Sequence, residues 1–190
     1  YVTYLQDITV TNCQFTDNEN RGFFARGQNT QVSIQQSTFS GNGYNPTAAG
    51  SNPGFSIIAR NDAEVSVSNT VIVNAAALGG AEDIPGNYYT AGLHNSGGGT
   101  ITITNSSITN NGNGFIADGV VSNPLDMSGN WLGSANETTI ESFILDDAEL
   151  DFTPYLPVGT DTDVVTPGFQ GDFSSLIVTN LGNQTSGERI

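Results

Sequence analysis

Ile8-Thr9-Val10-Thr11-Asn12-Cys13-Gln14-Phe15 decides the reading of this chain, because its pattern returns three more times. It returns as Val32-Ser33-Ile34-Gln35-Gln36-Ser37-Thr38-Phe39, as Val65-Ser66-Val67-Ser68-Asn69-Thr70-Val71-Ile72, and as Ile101-Thr102-Ile103-Thr104-Asn105-Ser106-Ser107-Ile108. Each copy runs apolar, polar, apolar, polar, then Asn or Gln, and a large apolar side chain closes it. Alternation at period two in β-branched residues marks a half-buried strand. A fifth copy, Leu125-Asp126-Met127-Ser128-Gly129-Asn130-Trp131-Leu132, is degenerate but in register. No stretch sustains a helical period.

The spacing carries the next step. Ile8 to Val32 and Ile101 to Leu125 are each 24 residues apart, whereas the two middle steps are 33 and 36. The surplus falls in two insertions rich in Gly, Pro and Ala, residues 43–53 and 75–91. A second apolar run follows each first one: Phe23-Phe24-Ala25, Phe55 to Ala59, the weaker Gly92-Leu93, and Phe115-Ile116-Ala117. A unit of this size with short strands and no helix cannot bury its inward face alone, but stacked on its copies it can. The expected fold is therefore all-β, a parallel β-helix solenoid in which Val10, Ile34, Val67 and Ile103 lie one over another. Asn12, Gln36, Asn69 and Asn105 fit a coil corner, where Asn tolerates the turn backbone and stacked side-chain amides form a structural ladder. A β-sandwich with polar turns is the rival. It predicts neither a constant offset between equivalent strands nor insertions at one fixed point of the unit.

Composition narrows the function classes. The 190 residues hold 19 acidic and 4 basic side chains for a net charge of −15, and the basic ones are all Arg. So acidic a chain is a poor partner for nucleic acid, and anionic membranes and polyanionic glycans repel it. There is no run of 18 apolar residues to span a bilayer. Neither end reads as a signal peptide, and the start in mid-pattern without Met suggests part of a longer polypeptide. The single Cys13 excludes an internal disulfide and reads as a small buried hydrophobe. A polar neutral surface with no Lys points to an extracellular or cell-surface setting.

Beyond Trp131 the pattern changes, and Pro154, Pro157 and Pro167 break up the remainder of the chain. A solenoid end exposes unpaired backbone and an open core. Residues 1–133 are accordingly assigned to the coils and 134–190 to an irregular C-terminal cap and linker, with Phe143, Phe152, Phe169 and Phe173 as core plugs. The segment Gly129-Asn130-Trp131-Leu132-Gly133-Ser134, followed by Leu150-Asp151-Phe152-Thr153-Pro154-Tyr155-Leu156, resembles the N-W-W-G … V-D-F-S-P-W-L ending of repeat modules in large bacterial secreted, adhesin-like surface proteins. Leu132 and Tyr155 stand where that family has Trp. The resemblance implies a right-handed parallel β-helix. It implies little about activity, because β-helices host many functions.

Candidate sites are sparse. The expected file Arg26, Arg60, His94 and Asp118 is the nearest approach to an active-site row, and a uronate lyase would need such a base. A solvated ladder at a coil corner, each charge covering part of a neighbouring coil, is the preferred reading of it. A glycoside hydrolase needs two carboxyl groups about 5–9.5 Å apart. The outward positions of the repeats read as Ser, Thr, Gln and Asn, leaving Asp62, Glu64 and Asp118 as the acids nearest a face. Zinc spacing is absent. Ca²⁺ is the one metal whose ligand chemistry is represented, with Asp161 and Asp163 or Asp146 and Asp147 as weak candidates. Three matches to the glycosylation sequon, at Asn105, Asn136 and Asn183, are what this composition yields by chance. In the insertions Tyr44, Tyr88 and Tyr89 offer amphipathic area for sugar rings or a protein interface.

These features favour a non-enzymatic structural or adhesive module, a rod or filament subunit that associates with like subunits or tandem modules, by strand addition near Tyr1 to Leu5 or through the terminal segment of a neighbour. A polysaccharide-binding or lyase-like module acting on surface glycans is the alternative. No cofactor is expected.

Overall fold

The computed structural model describes residues 2–3, 6–19, 21–43, 55–75, 91–111, 115–117, 125–145 and 150–178. The first unit contributes β1 (Val2–Thr3), β2 (Gln6–Thr11) and β3 (Gln14–Thr16). The second contributes β4 (Arg21–Arg26), β5 (Thr30–Gln35) and β6 (Thr38–Ser40), and the third β7 (Phe55–Arg60), β8 (Glu64–Ser68) and β9 (Val71–Val73). The fourth adds β10 (Ala91–Ser96), β11 (Thr100–Thr104) and β12 (Ser107–Thr109). Beyond these lie β13 (Phe115–Ala117), β14 (Leu125–Asp126), the short helix α1 (Glu137–Glu141), β15 (Ile144–Leu145) and β16 (Leu150–Asp151).

All the named strands are parallel, and each unit from the first to the fourth sends one strand to each of three sheets. Sheet A runs β1-β4-β7-β10-β13-β15, sheet B β2-β5-β8-β11-β14-β16, and sheet C β3-β6-β9-β12. Val10, Ile34, Val67 and Ile103 are successive register partners in sheet B. Phe15, Phe39, Ile72 and Ile108 form the corresponding file in sheet C, where the Phe15 and Phe39 rings stack at 4.6 Å. These files, with Phe23, Ile57 and Leu93 of sheet A, meet in one continuous apolar core.

Sharp corners separate the sheets, and left-handed residues make them. Asn12, Gln36, Asn69 and Asn105 have φ of 46–53°, and Gly129 takes the equivalent position at 70°. Asp17, Gly41, Asn74 and Asn110 form a second left-handed file at the far end of sheet C. Asn, Asp and Gly tolerate this backbone where β-branched residues do not.

Several expectations need correction. Cys13 is only half-buried, and its thiol donates to the Thr11 carbonyl at 3.4 Å. In sheet A the expected weak strand at Gly92-Leu93 is a full six-residue β10. Burial in β7 extends to both faces, from Phe55 to Ala59, because outward Ile58 and its partner Phe24 are covered too. Among the proposed plugs, Phe152 joins the core and Phe169 is buried, whereas Phe143 and Phe173 are 36% and 45% exposed.

Residues between Tyr155 and Ile177 do not stay at the end of the stack. They leave the sixth unit at Tyr155 and return to it at Ile177, which bridges Tyr155 antiparallel. Between these points the chain runs along the corner between sheets B and C. Phe169 N–H donates to the Asn69 carbonyl at 3.0 Å, and Gly171 N–H to Asn105 Oδ1 at 2.8 Å. Gly168, with φ of 90°, passes so close that any Cβ would overlap the Asn69 carbonyl oxygen.

Candidate functional site

Two systems of side chains organise the stack, and they must be separated from anything that meets a ligand. The first is buried. Cys13 N–H donates to Ser37 Oγ, Ser37 N–H to Thr70 Oγ1, Thr70 N–H to Ser106 Oγ, and Ser106 N–H to Asn130 Oδ1, at 2.9–3.4 Å. Each hydroxyl in turn donates to the carbonyl two residues back, at Gln35, Ser68 and Thr104. Corner N–H groups that no strand can satisfy thus find an acceptor in the next unit, as buried donors must. The expected amide ladder is one residue out of place. Among the described residues no hydrogen bond joins the side chains of Asn12, Gln36, Asn69 and Asn105 to one another; their backbone turns the corner and the following residue supplies the bonded rung.

The second system sits at the far end of sheet C. Buried Asn42 accepts from Asn18 Nδ2 at 2.7 Å and donates to the Phe15 carbonyl at 2.9 Å. Asn111 accepts from Ala75 N–H and donates to the Ile72 carbonyl in the same way. The strand pattern does not reveal this file, although Asn18, Asn42 and Asn111 each come directly after a left-handed corner.

The outward faces hold the candidates. Arg26 and Arg60 are register partners at the end of sheet A, both exposed. The next rung of their file is Ser96, not His94: His94 pairs with Ile58, two residues away. The expected row therefore contracts to the arginine pair, and Asp118 lies outside the described residues. On sheet B the outward file is Asp7, Gln31, Glu64 and Thr100, so acids do occupy outward positions, contrary to the reading from sequence. A shallow cleft of about 280 Å³ lies over Asp7, Thr9, Gln31, Ser33, Glu64 and Ser66. Asp7 and Glu64 stand two rungs apart, roughly 10 Å at the backbone. Gln31 fills the rung between and donates to Glu64 Oε2 at 3.2 Å. The pair does not face an open bond-cleaving gap.

The calcium candidates are used internally. Asp161 Oδ1 accepts from the N–H groups of Asp163 and Gln170. Asp163 accepts from Val165 and Thr166 N–H and, at 2.6 Å, from the Thr166 hydroxyl. Among the described residues no three His, Cys, Asp or Glu side chains gather around a common point. Asp146 and Asp147 lie outside the described residues, as do Tyr44, Tyr88, Tyr89 and Asn183. Of the sequon residues, Asn105 holds Gly171 and Asn136 caps α1 by accepting from Thr139 N–H. No helix of the described residues is long and apolar enough to cross a membrane.

The Thr166 hydroxyl, followed by the Val165 and Thr166 N–H groups, holds the Asp163 carboxyl below its ordinary range. A depressed folded-state pKa adds stability above the unfolded value, near 3.9, that is lost as pH falls through the folded value. The turn at Asp163–Thr166 is thus expected to survive acidification to about pH 4. An amide chemical-shift titration of Thr166 should place its midpoint below that of a free aspartate; a midpoint at or above it would refute the bonded turn.

Comparison with known families, curated proteins and solved structures finds no match to this chain. Its function is therefore read from the geometry.

Proposed function

We propose that this chain is a right-handed parallel β-helix module of an extracellular surface protein, serving as a rod segment that joins further coils end-on. The hand is inferred from the rule that parallel crossover connections within a sheet are right-handed in about 98% of cases. The three-sheet order supports the solenoid, and the resemblance around Trp131 supports the surface-protein setting.

One observation carries the end-on reading. Ile8, Val10 and Phe15 are only half-buried, while their partners Val32, Ile34 and Phe39 are 3%, 0% and 0% exposed. The apolar files thus run out to the first coil of the described residues, whose face and β1, β2 and β3 edges accept a further coil of the same polypeptide or of another copy. That coil also presents Asn18 in the position from which Asn42 and Asn111 each bind the preceding coil. Such an edge is a template for strand addition. At the other end Ile177 occupies the sheet C edge of the sixth coil. A partner coil of like chemistry thus enters at the first coil, where Val2–Thr3 is the described part of the segment Tyr1 to Leu5.

Ile8→Lys tests this by placing a charge at the half-buried rim of the first coil, where Ile8 packs over Val32. Light scattering and negative-stain microscopy should show end-on association for the parent chain and its loss in the variant, with the circular dichroism unchanged. A parent chain that stays dispersed at every concentration would refute the reading. Turnover of a uronate polymer abolished by Arg60→Ala would favour the lyase-like alternative instead.

A further inference from the structure

We propose that Arg26 and Arg60 form a lateral docking surface for a second copy of this chain, which presents Asp126 and Asp151. Two of only four cationic side chains in an acid-rich sequence stand on adjacent rungs of one file. Strands one rung apart are about 4.8 Å apart, so the two guanidinium groups repel each other. Among the described residues no hydrogen bond or ion pair joins either guanidinium to an acid. The Glu64 carboxylate takes the Gln31 amide, and that of Asp62 lies over Gly98 of the next rung. With the Asn61 amide turned so that its oxygen rather than its nitrogen faces the guanidinium, that oxygen accepts from Arg26 Nε and one terminal nitrogen at 3.0 and 3.2 Å. Arg60 has no partner among the described residues.

The complementary feature is on sheet B. Asp126 and Asp151 are register partners on β14 and β16, again one rung apart. Asp126 Oδ1 accepts from the N–H and hydroxyl of Ser128, and Asp151 Oδ1 from those of Thr153. Both carboxylates are thereby fixed in the same orientation, and no hydrogen bond of the described residues ends on either Oδ2. Among the described residues this is the acid pair with one-rung spacing; Asp7 and Glu64 are two rungs apart. Because one ladder spacing sets both pairs, two guanidinium groups meet two carboxylates rung for rung.

The contact cannot close within one molecule, because the arginines lie in the second and third units of sheet A and the aspartates in the fifth and sixth of sheet B. It is heterologous. Each bound copy leaves its own second pair free, and the contact propagates side by side. Two chains of net charge −15 also repel at long range. Screening lengths are about 30 Å at 0.01 M salt, about 8 Å at 0.15 M and about 3 Å at 1 M. Lateral association should therefore peak at intermediate ionic strength, where the monopole is screened and the paired charges are not.

The proposal deepens the self-association reading, and filament width reports on it separately from filament length. The test uses two double variants, Arg26→Glu/Arg60→Glu and Asp126→Lys/Asp151→Lys, in sedimentation velocity and electron microscopy at about 0.15 M salt. Each variant alone should lose lateral association, with a Kd at least about ten-fold weaker, and keep end-on growth. Mixing the two should restore it, since Glu then faces Lys and the native Arg still faces the native Asp. Asp126→Asn/Asp151→Asn, which keeps the local hydrogen bonds, should weaken association without affecting the fold. Widths unchanged in both reversed variants, failure of the mixture to recover, or retention of the parent on an immobilised uronate polymer in place of lateral association would overturn the proposal.

Discussion

Asn130→Ala is expected to cost about 3–5 kcal/mol, a large loss for truncating one polar side chain among the described residues. The side chain is fully buried and ends the hydroxyl ladder. Its Oδ1 accepts from Ser106 N–H at 2.9 Å, and its Nδ2 donates to the carbonyls of Ile103 and Met127 at 2.7 and 2.6 Å. Alanine leaves one donor and two acceptors in the interior with no route to solvent, and each such orphan costs about 1–3 kcal/mol. Against a total stability of the usual order, about 5–15 kcal/mol, that change moves a urea midpoint well outside error. Asn130→Asp sharpens the result. A carboxylate keeps the acceptor for Ser106 but faces carbonyl oxygens, so the folded state raises its pKa. Its stability is then highest below the ordinary aspartate range and falls as pH rises through the folded value. A loss under about 1 kcal/mol for the alanine variant would mean that the ladder does not hold the fourth and fifth units together.

Gly168→Ala should release residues 157–176 from the corner while the sheets remain folded. The backbone is left-handed there, and a methyl group would overlap the Asn69 carbonyl. Either the chain lifts or the corner opens; the corner is fixed by neighbouring units on both sides and the segment is not. Lifting breaks the Phe169 and Gly171 hydrogen bonds and exposes Phe169, now 3% exposed. Together these are worth about 2–4 kcal/mol of local stability. Hydrogen exchange should accelerate at Phe169 and Gly171, and limited proteolysis should cut near Val164 and Val165. Their exposures, 83% and 87%, already mark the tip. Unchanged protection at Phe169 would show that this glycine does not set the docking.

The files of sheets B and C are legible in the sequence because they rest on hydrophobic period and constant offset. The offsets of 24, 33, 36 and 24 reappear as the separations bridged by the rungs Cys13–Ser37, Ser37–Thr70, Thr70–Ser106 and Ser106–Asn130. The rungs themselves are hidden. Ser, Thr and Cys alternate with apolar residues on any strand, and only the left-handed residue before them turns them inward. Cys13 misleads for the same reason: it stands where the other units carry a hydroxyl. The segment from Pro157 to Ile177 has no period and reads as linker, because its docking depends on a single close approach at Gly168. The expected charged row fails at His94 by two residues, since β10 extends further than its weak apolar run implies. Arg26 and Arg60 are legible as neighbours from their place after the second apolar run, but nothing in one strand's sequence says that Asp126 and Asp151 share their spacing.

Methyl–methyl nuclear Overhauser contacts test the stacking directly. The Ile34 methyl groups should touch those of Val10 on one side and Val67 on the other, and Val67 should touch Ile103. Val10 and Ile103, three rungs and about 14 Å apart, should show no contact. A direct contact between Val10 and Ile103, or none between Ile34 and both of its neighbours, would contradict the three-sheet stack.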